Sequence, residues 1–122
     1  MLGTNGGQTI EGNSEDDKAY EEIIHMCQSQ AKGSNIYLCT PPHVTTNPMF
    51  SNCGYLPLVV PARVFVRNIA KKFNVNLIEL DKCDKFTDET ENIMQANDGL
   101  HFVEIGYRTL AEVIYEHIKE AL

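Results

Sequence analysis

Apolar positions return along this chain in two different periods, and the switches between them mark the elements. Between residues 15 and 32, Tyr20, Ile23, Ile24, Cys27 and Ala31 fall at the three-to-four spacing of one helical face. Ser14 stands ahead of them as an N-cap. Glu15, Asp16 and Asp17 put negative charge in the first turn, where the helix dipole favours it, and Gly33 offers a stop. Ile36-Tyr37-Leu38-Cys39 is instead a short run of β-formers, cut off by Pro41-Pro42. A long loop follows through Asn52, with turn signals at Asn47-Pro48 and Asn52-Cys53-Gly54. Loops of this length within a compact domain are often part of a site.

A second helical stripe is predicted from Val64, Phe65, Ile69, Ala70 and Phe73, with Pro61 in its first turn and Asn74 as its stop. Val75, Leu77, Ile78 and Leu80 predict the next strand, closed by Asp81. Residues 82–97 are polar, with a short helical turn expected over 88–94. A last helix is predicted over 104–121, turning Tyr107, Leu110, Ala111, Ile114, Ile118 and Leu122 inward. Met1-Leu2, followed by Gly3-Thr4-Asn5-Gly6-Gly7, reads as the last step of a strand entering a turn. Two residues are too few for a strand, so the chain looks as if it begins within an element.

Strand end, helix, strand, helix, strand, helix is the alternation of an α/β layer fold with a parallel sheet, here expected as one domain over residues 1–122. Ligands bind such sheets beyond the carboxyl ends of the strands. The loops leaving those ends, residues 3–7, 40–52 and 81–101, are expected to converge on the chemistry.

Charge and composition narrow the partners. Net charge is −7, and the ten Lys and Arg are scattered apart from Lys71-Lys72. A nucleic-acid partner is not expected, because the basic footprint is missing. No apolar run reaches membrane-spanning length. No signal peptide is visible at Met1-Leu2-Gly3, which tilts the expected compartment slightly toward the cytoplasm. Cys27, Cys39, Cys53 and Cys83 form no C-x-x-C pair. Cys27 and Cys39 fall in apolar patterns and are expected in the core. Cys53 and Cys83 lie in loops as free thiols, with a bridge between them as the lesser alternative. No metal or cofactor is expected. His25 and Cys27 diverge on one helix, Asp81 and Asp84 lack a calcium-loop spacing, and the glycine-rich start lacks a phosphate-loop signature.

The stretch with most chemical content is Asp98-Gly99-Leu100-His101. A carboxylate three residues before an imidazole, across a glycine turn, can hold the ring's Nδ1 proton and leave Nε2 as a base. The same four residues also suit a plain helix entry. His43, in the 40–52 loop, can line a pocket or sit on the surface.

Leu2-Gly3-Thr4-Asn5, Ile36-Tyr37-Leu38-Cys39-Thr40-Pro41-Pro42, and Asp98-Gly99-Leu100-His101-Phe102 with Gly106-Tyr107, in that order, resemble the SGNH (GDSL-type) esterase and lipase hydrolase family. The resemblance spans nearly the whole chain but only the C-terminal portion of the family domain. It implies a three-layer α/β/α fold with a flavodoxin-like parallel sheet, its N-terminal strands outside this chain. It implies ester hydrolysis through a Ser-His-Asp mechanism on a small-molecule, glycan or lipid ester. Asp98 matches the triad carboxylate and His101 the base. Asn5 matches the oxyanion-hole amide, and Gly3 the glycine of the same block. Gly3 and His43 are the expected substrate-binding residues.

Three departures qualify the match. The family's Gly-Asp-Ser nucleophile block and its oxyanion glycine block are absent, with Ser14, Ser29, Ser34 and Ser51 in cap, helix or loop settings. Gly6 stands where Asp is common, and Val103 where a capping Asn or Ser is common. Without the nucleophile, this chain is expected to be inactive alone and to be the C-terminal part of a longer hydrolase. An open sheet edge would favour self-association. The alternative is a non-catalytic remnant that binds a ligand or a partner chain.

Overall fold

The computed structural model describes residues 3–122. The expected strand end at Met1-Leu2 lies outside the described residues. The chain divides into two compact units: residues 1–41 with 58–78, and residues 42–57 with 79–122.

In the first unit, Ser14 starts α1 (Glu15–Gln30) with a capping box. Its hydroxyl accepts from the Asp17 N–H, and the Asp17 carboxylate accepts from the Ser14 N–H. Asp17 also accepts from the backbone N–H and the hydroxyl of Thr9, so one fully buried carboxylate ties residues 9–14 to the helix. Burial pushes its pKa up. The hydrogen bonds from Thr9 and Ser14 outweigh that and hold it below the ordinary value.

β1 (Tyr37–Cys39) and β2 (Asn76–Ile78) pair in parallel, Leu38 opposite Leu77, which establishes the expected strand direction on a small two-stranded sheet. The Thr40 N–H extends the ladder to the Ile78 carbonyl. α2 (Leu56–Phe73) starts five residues before the expected Pro61. Pro57 already supplies the first-turn proline, where a missing N–H is harmless. Pro61 therefore lies inside the helix. Asn74, at φ 51°, ends it as expected. The core joins Tyr20 and Ile24 of α1, Leu38 of β1, and Phe65, Val66, Ile69 and Ala70 of α2.

Only two of the five residues of the predicted α1 stripe are covered. Tyr20 and Ile24 are buried, whereas Ile23, Cys27 and Ala31 are exposed, contrary to the expectation for Cys27. Ile23, Ile24, Cys27, Tyr37 and Cys39 line a groove of about 200 Å³. Helical spacing marks which residues share a face but not how much of it a neighbour covers.

In the second unit, Leu80 begins a 3₁₀ turn, Leu80–Lys82, rather than ending the strand. Val44, Phe50, Leu80 and Phe86 are buried. The ring of Phe86 stacks on Phe102 at 4.9 Å, and Tyr107 meets Phe102 edge-on. α3 (Glu91–Met94) lies within the expected helical turn. α4 (Glu104–Ile118) has Val103 at its N-cap with no side-chain cap bond, followed by a 3₁₀ turn, Lys119–Ala121. The inward face expected of α4 is corrected. Tyr107, Ala111 and Leu122 are exposed, Leu110, Ile114 and Ile118 are half-buried, and Gly106 alone is buried. The helix enters by close approach: a Cβ on Gly106 would lie 2.2 Å from the Met94 carbonyl oxygen. Among the described residues, no helix is long and apolar enough to cross a membrane.

Asp17→Ala removes the acceptor for two backbone N–H groups and a hydroxyl, so it should cost about 2–3 kcal/mol in urea unfolding. A carboxylate held below its ordinary pKa stabilises the fold above that value. The contribution fades as pH falls through the ordinary carboxylate range toward the lower folded value. Melting curves should show that the variant has lost this part of the wild-type acid sensitivity, with stability falling less between pH 5 and pH 3.

Candidate functional site

The Asp98–His101 turn closes on backbone bonds at both ends. Gln95 and Phe102 form an antiparallel bridge. The Ala96 N–H reaches the His101 carbonyl at 2.8 Å, and the Gly99 N–H reaches the Ala96 carbonyl at 2.9 Å. Asp98 sits at the tip and divides its carboxylate. Oδ1 accepts from the N–H groups of Leu100 and His101, each at 2.9 Å. Oδ2 lies 2.6 Å from His101 Nδ1. One oxygen therefore shapes the backbone and the other orients the ring.

Since a carboxylate can only accept, this contact assigns the proton of a neutral ring to Nδ1 and leaves Nε2 with a lone pair. Nε2 has no partner among the described residues, and the His101 side chain is 69% exposed against 28% for Asp98. Burial pushes the Asp98 pKa up. Hydrogen bonds from the His101 ring and from the Leu100 and His101 N–H groups outweigh it and hold the carboxyl below its ordinary range. Asp98 therefore stays ionised.

The loop over residues 42–57 braces this turn. The N–H groups of Thr45, Ser51 and Asn52 donate to the carbonyls of Gly99, Asn97 and Asp98. Gly99 has φ +68°, and a Cβ there would lie 2.0 Å from Thr45 Cγ2 and 2.9 Å from Phe50 Cβ. Both the backbone region and the space admit only glycine.

Gly3 and Asn5 belong to the first unit. The Gly6 N–H donates to the Gly3 carbonyl at 3.1 Å, which places Thr4 and Asn5 at the tip of a tight turn. Asn5 is exposed there, and no bond to its own backbone fixes the side chain among the described residues. Gly3, Asn5, Gly6, Gln8, Asp16 and Tyr20 line an open depression of about 490 Å³. The buried Gln8 Oε1 in its wall has no hydrogen-bond partner among the described residues.

His43 lies in the second unit, with its ring turned inward. Nε2 is 2.9 Å from Glu91 Oε2 and 3.5 Å from Asp88 Oδ1. Glu91 is buried. Burial raises its pKa, but hydrogen bonds from His43, Thr45 and Asn47 prevail and hold it below the ordinary value. The Gln95 amide donates to the His43 carbonyl at 2.9 Å. Sequence reasoning missed Asp88, Glu91 and Gln95 as companions of His43. Glu91 stands 48 residues away, within a stretch that reads only as polar, and no local spacing links the two.

No known family's model matches the chain, and no curated protein matches its sequence. Among solved structures, the lipase/acylhydrolase from Enterococcus faecalis is similar in fold, with a TM-score of 0.61 and 23% identity. The match covers 98% of this chain and 59% of that protein's chain. The chain thus shares the fold of part of that protein, mixing helices with a small parallel sheet.

Gly99→Ala should destabilise the protein by about 2–4 kcal/mol, through strain at positive φ and the collision with Thr45 and Phe50. Equilibrium urea unfolding measures it. The loss should exceed that of Gly33→Ala, where φ is also positive but a Cβ meets nothing within 4 Å.

Proposed function

We propose that this chain supplies the general base and its orienting carboxylate to an SGNH-type ester hydrolase, of which it forms the C-terminal part of a single catalytic domain. The observation that carries the reading is the 2.6 Å contact between Asp98 Oδ2 and His101 Nδ1, with Nε2 unpartnered among the described residues on an exposed ring. A base must offer Nε2 to a hydroxyl that arrives from elsewhere, and a ring held through Nδ1 keeps that atom accessible. The likeness in fold to a lipase/acylhydrolase supports the same reading.

The proposed cycle starts when His101 Nε2 takes the proton of a serine hydroxyl and the serine oxygen adds to the ester carbonyl. The tetrahedral intermediate collapses as His101 returns the proton to the leaving alcohol, which leaves an acyl-enzyme. Water, deprotonated by the same Nε2, then releases the acid and restores the serine. Asp98 stays ionised throughout and stabilises the imidazolium. Asn5 donates its side-chain N–H to the oxyanion. The nucleophile comes from sequence outside this chain. The substrate is a small-molecule, glycan or lipid ester, and no cofactor takes part.

The test is the polypeptide that includes the frame preceding Met1, assayed with a p-nitrophenyl ester. His101→Ala should lower kcat by about 10³-fold or more, and Asp98→Asn by up to about 10⁴-fold, because the ring loses its proper tautomer. Asn5→Ala should cost about 10²–10³-fold in kcat with little change in KM. Ester turnover that persists within about tenfold in His101→Ala would sink the proposal.

A further inference from the structure

We propose that His43, Asp88 and Glu91 form a binding site for a first-row divalent cation of the Zn²⁺ class, apart from the Asp98–His101 pair. The donor atoms of the three side chains all lie within 4.8 Å of one another. His43 Nε2 is 2.9 Å from one carboxylate oxygen and 3.5 Å from the other. Two donors bound to one ion at about 2.1 Å, 90–110° apart, are separated by about 3.0–3.4 Å. Both histidine–carboxylate spacings fall close to that range.

Charge argues in the same direction. An imidazole nitrogen carries at most one proton and can satisfy one of the two carboxylates that converge on it. Glu91 is buried, and its Oε2 lies against the His43 ring. Gln95 gives an independent sign. It is 5% exposed and lines the same small cavity as His43 and Glu91, and its Oε1 has no donor among the described residues. Around His43 there are more acceptors than protons, and a cation would balance them.

The donor set selects the ion. One imidazole with two carboxylates suits Zn²⁺ better than the all-oxygen shells of Ca²⁺ or Mg²⁺. Three protein donors leave a position for water. The bound ion displaces the proton that Nε2 shares with Glu91. It would fasten residues 43–47 to α3, and Thr45 of that segment holds the Gly99 carbonyl. The site would therefore stabilise the brace of the Asp98–His101 turn. It does not depend on the hydrolase reading, since binding and melting are read without turnover.

The protein is freed of metal with a chelator, dialysed, and titrated with Zn²⁺ by calorimetry, and with Co²⁺ by its visible absorption. One equivalent should bind with micromolar affinity, and the melting temperature should rise. Asp88→Asn alters a side chain that is 75% exposed, so the metal-free variant should melt like the wild type. It should bind Zn²⁺ at least about tenfold more weakly and lose the rise in melting temperature. His43→Ala should bind no better than Asp88→Asn. The proposal is overturned if the wild type takes up no Zn²⁺ below about 1 mM, or if Asp88→Asn binds as tightly as the wild type.

Discussion

A carboxylate has more lone pairs than any one partner can use, and the second unit depends on how Asp98 divides them. Oδ1 gathers two successive backbone N–H groups and so forms the turn. Oδ2 takes the ring proton of His101. The same residue thus decides where the imidazole is and which of its nitrogens is open. The turn is short enough to be formed by its own residues, yet it is held by three N–H groups from the 42–57 loop. Orientation of the ring and packing of the loop are therefore one problem, solved around a glycine at positive φ.

Asp17 and Glu91 repeat the device in places with no catalytic pattern. Each is buried, each stays ionised because neighbouring donors outweigh burial, and each ties an irregular segment to a helix start. A hydrogen bond to an ionised acceptor is worth more than a neutral one, and a buried ionised acceptor left without donors is severely unfavourable. Loops secured this way need few apolar side chains. That fits a chain whose long segments, 40–55 and 79–103, are mostly polar but nonetheless ordered by specific bonds. The cost is sensitivity to acid, since protonation removes the acceptor charge on which several bonds rest.

The apolar surface tells a different story. The Ile23 and Cys27 side of α1 and the Tyr107 and Ala111 side of α4 are patterned for burial and remain exposed. The matched solved structure is longer, with 59% of its chain covered. A parallel sheet is ordinarily covered on both faces. Among the described residues, two paired strands and exposed helix faces leave that cover incomplete.

Local chemistry was legible from the residues alone. Ser14 with its acidic first turn, Asn74 as a stop, Pro41-Pro42 as a strand end, and the Asp98-Gly99-Leu100-His101 turn involve partners within a few positions, and the neighbouring side chain dictates the geometry. Pattern misled where extent mattered. The start of α2 moved to Leu56 because Pro57 serves the first turn as well as Pro61 would. Of the inward face expected of α4, Leu110, Ile114 and Ile118 are only half-buried and Tyr107, Ala111 and Leu122 exposed, because spacing defines a face and only a neighbour buries it. The long-range partnerships were invisible. His43 meets Glu91 across 48 residues, and Gly106 is required by the Met94 carbonyl rather than by its own helix. Which side chains share a cluster depends on the path of the intervening chain. That path is settled by the packing of the whole fold, not by any spacing written in the sequence.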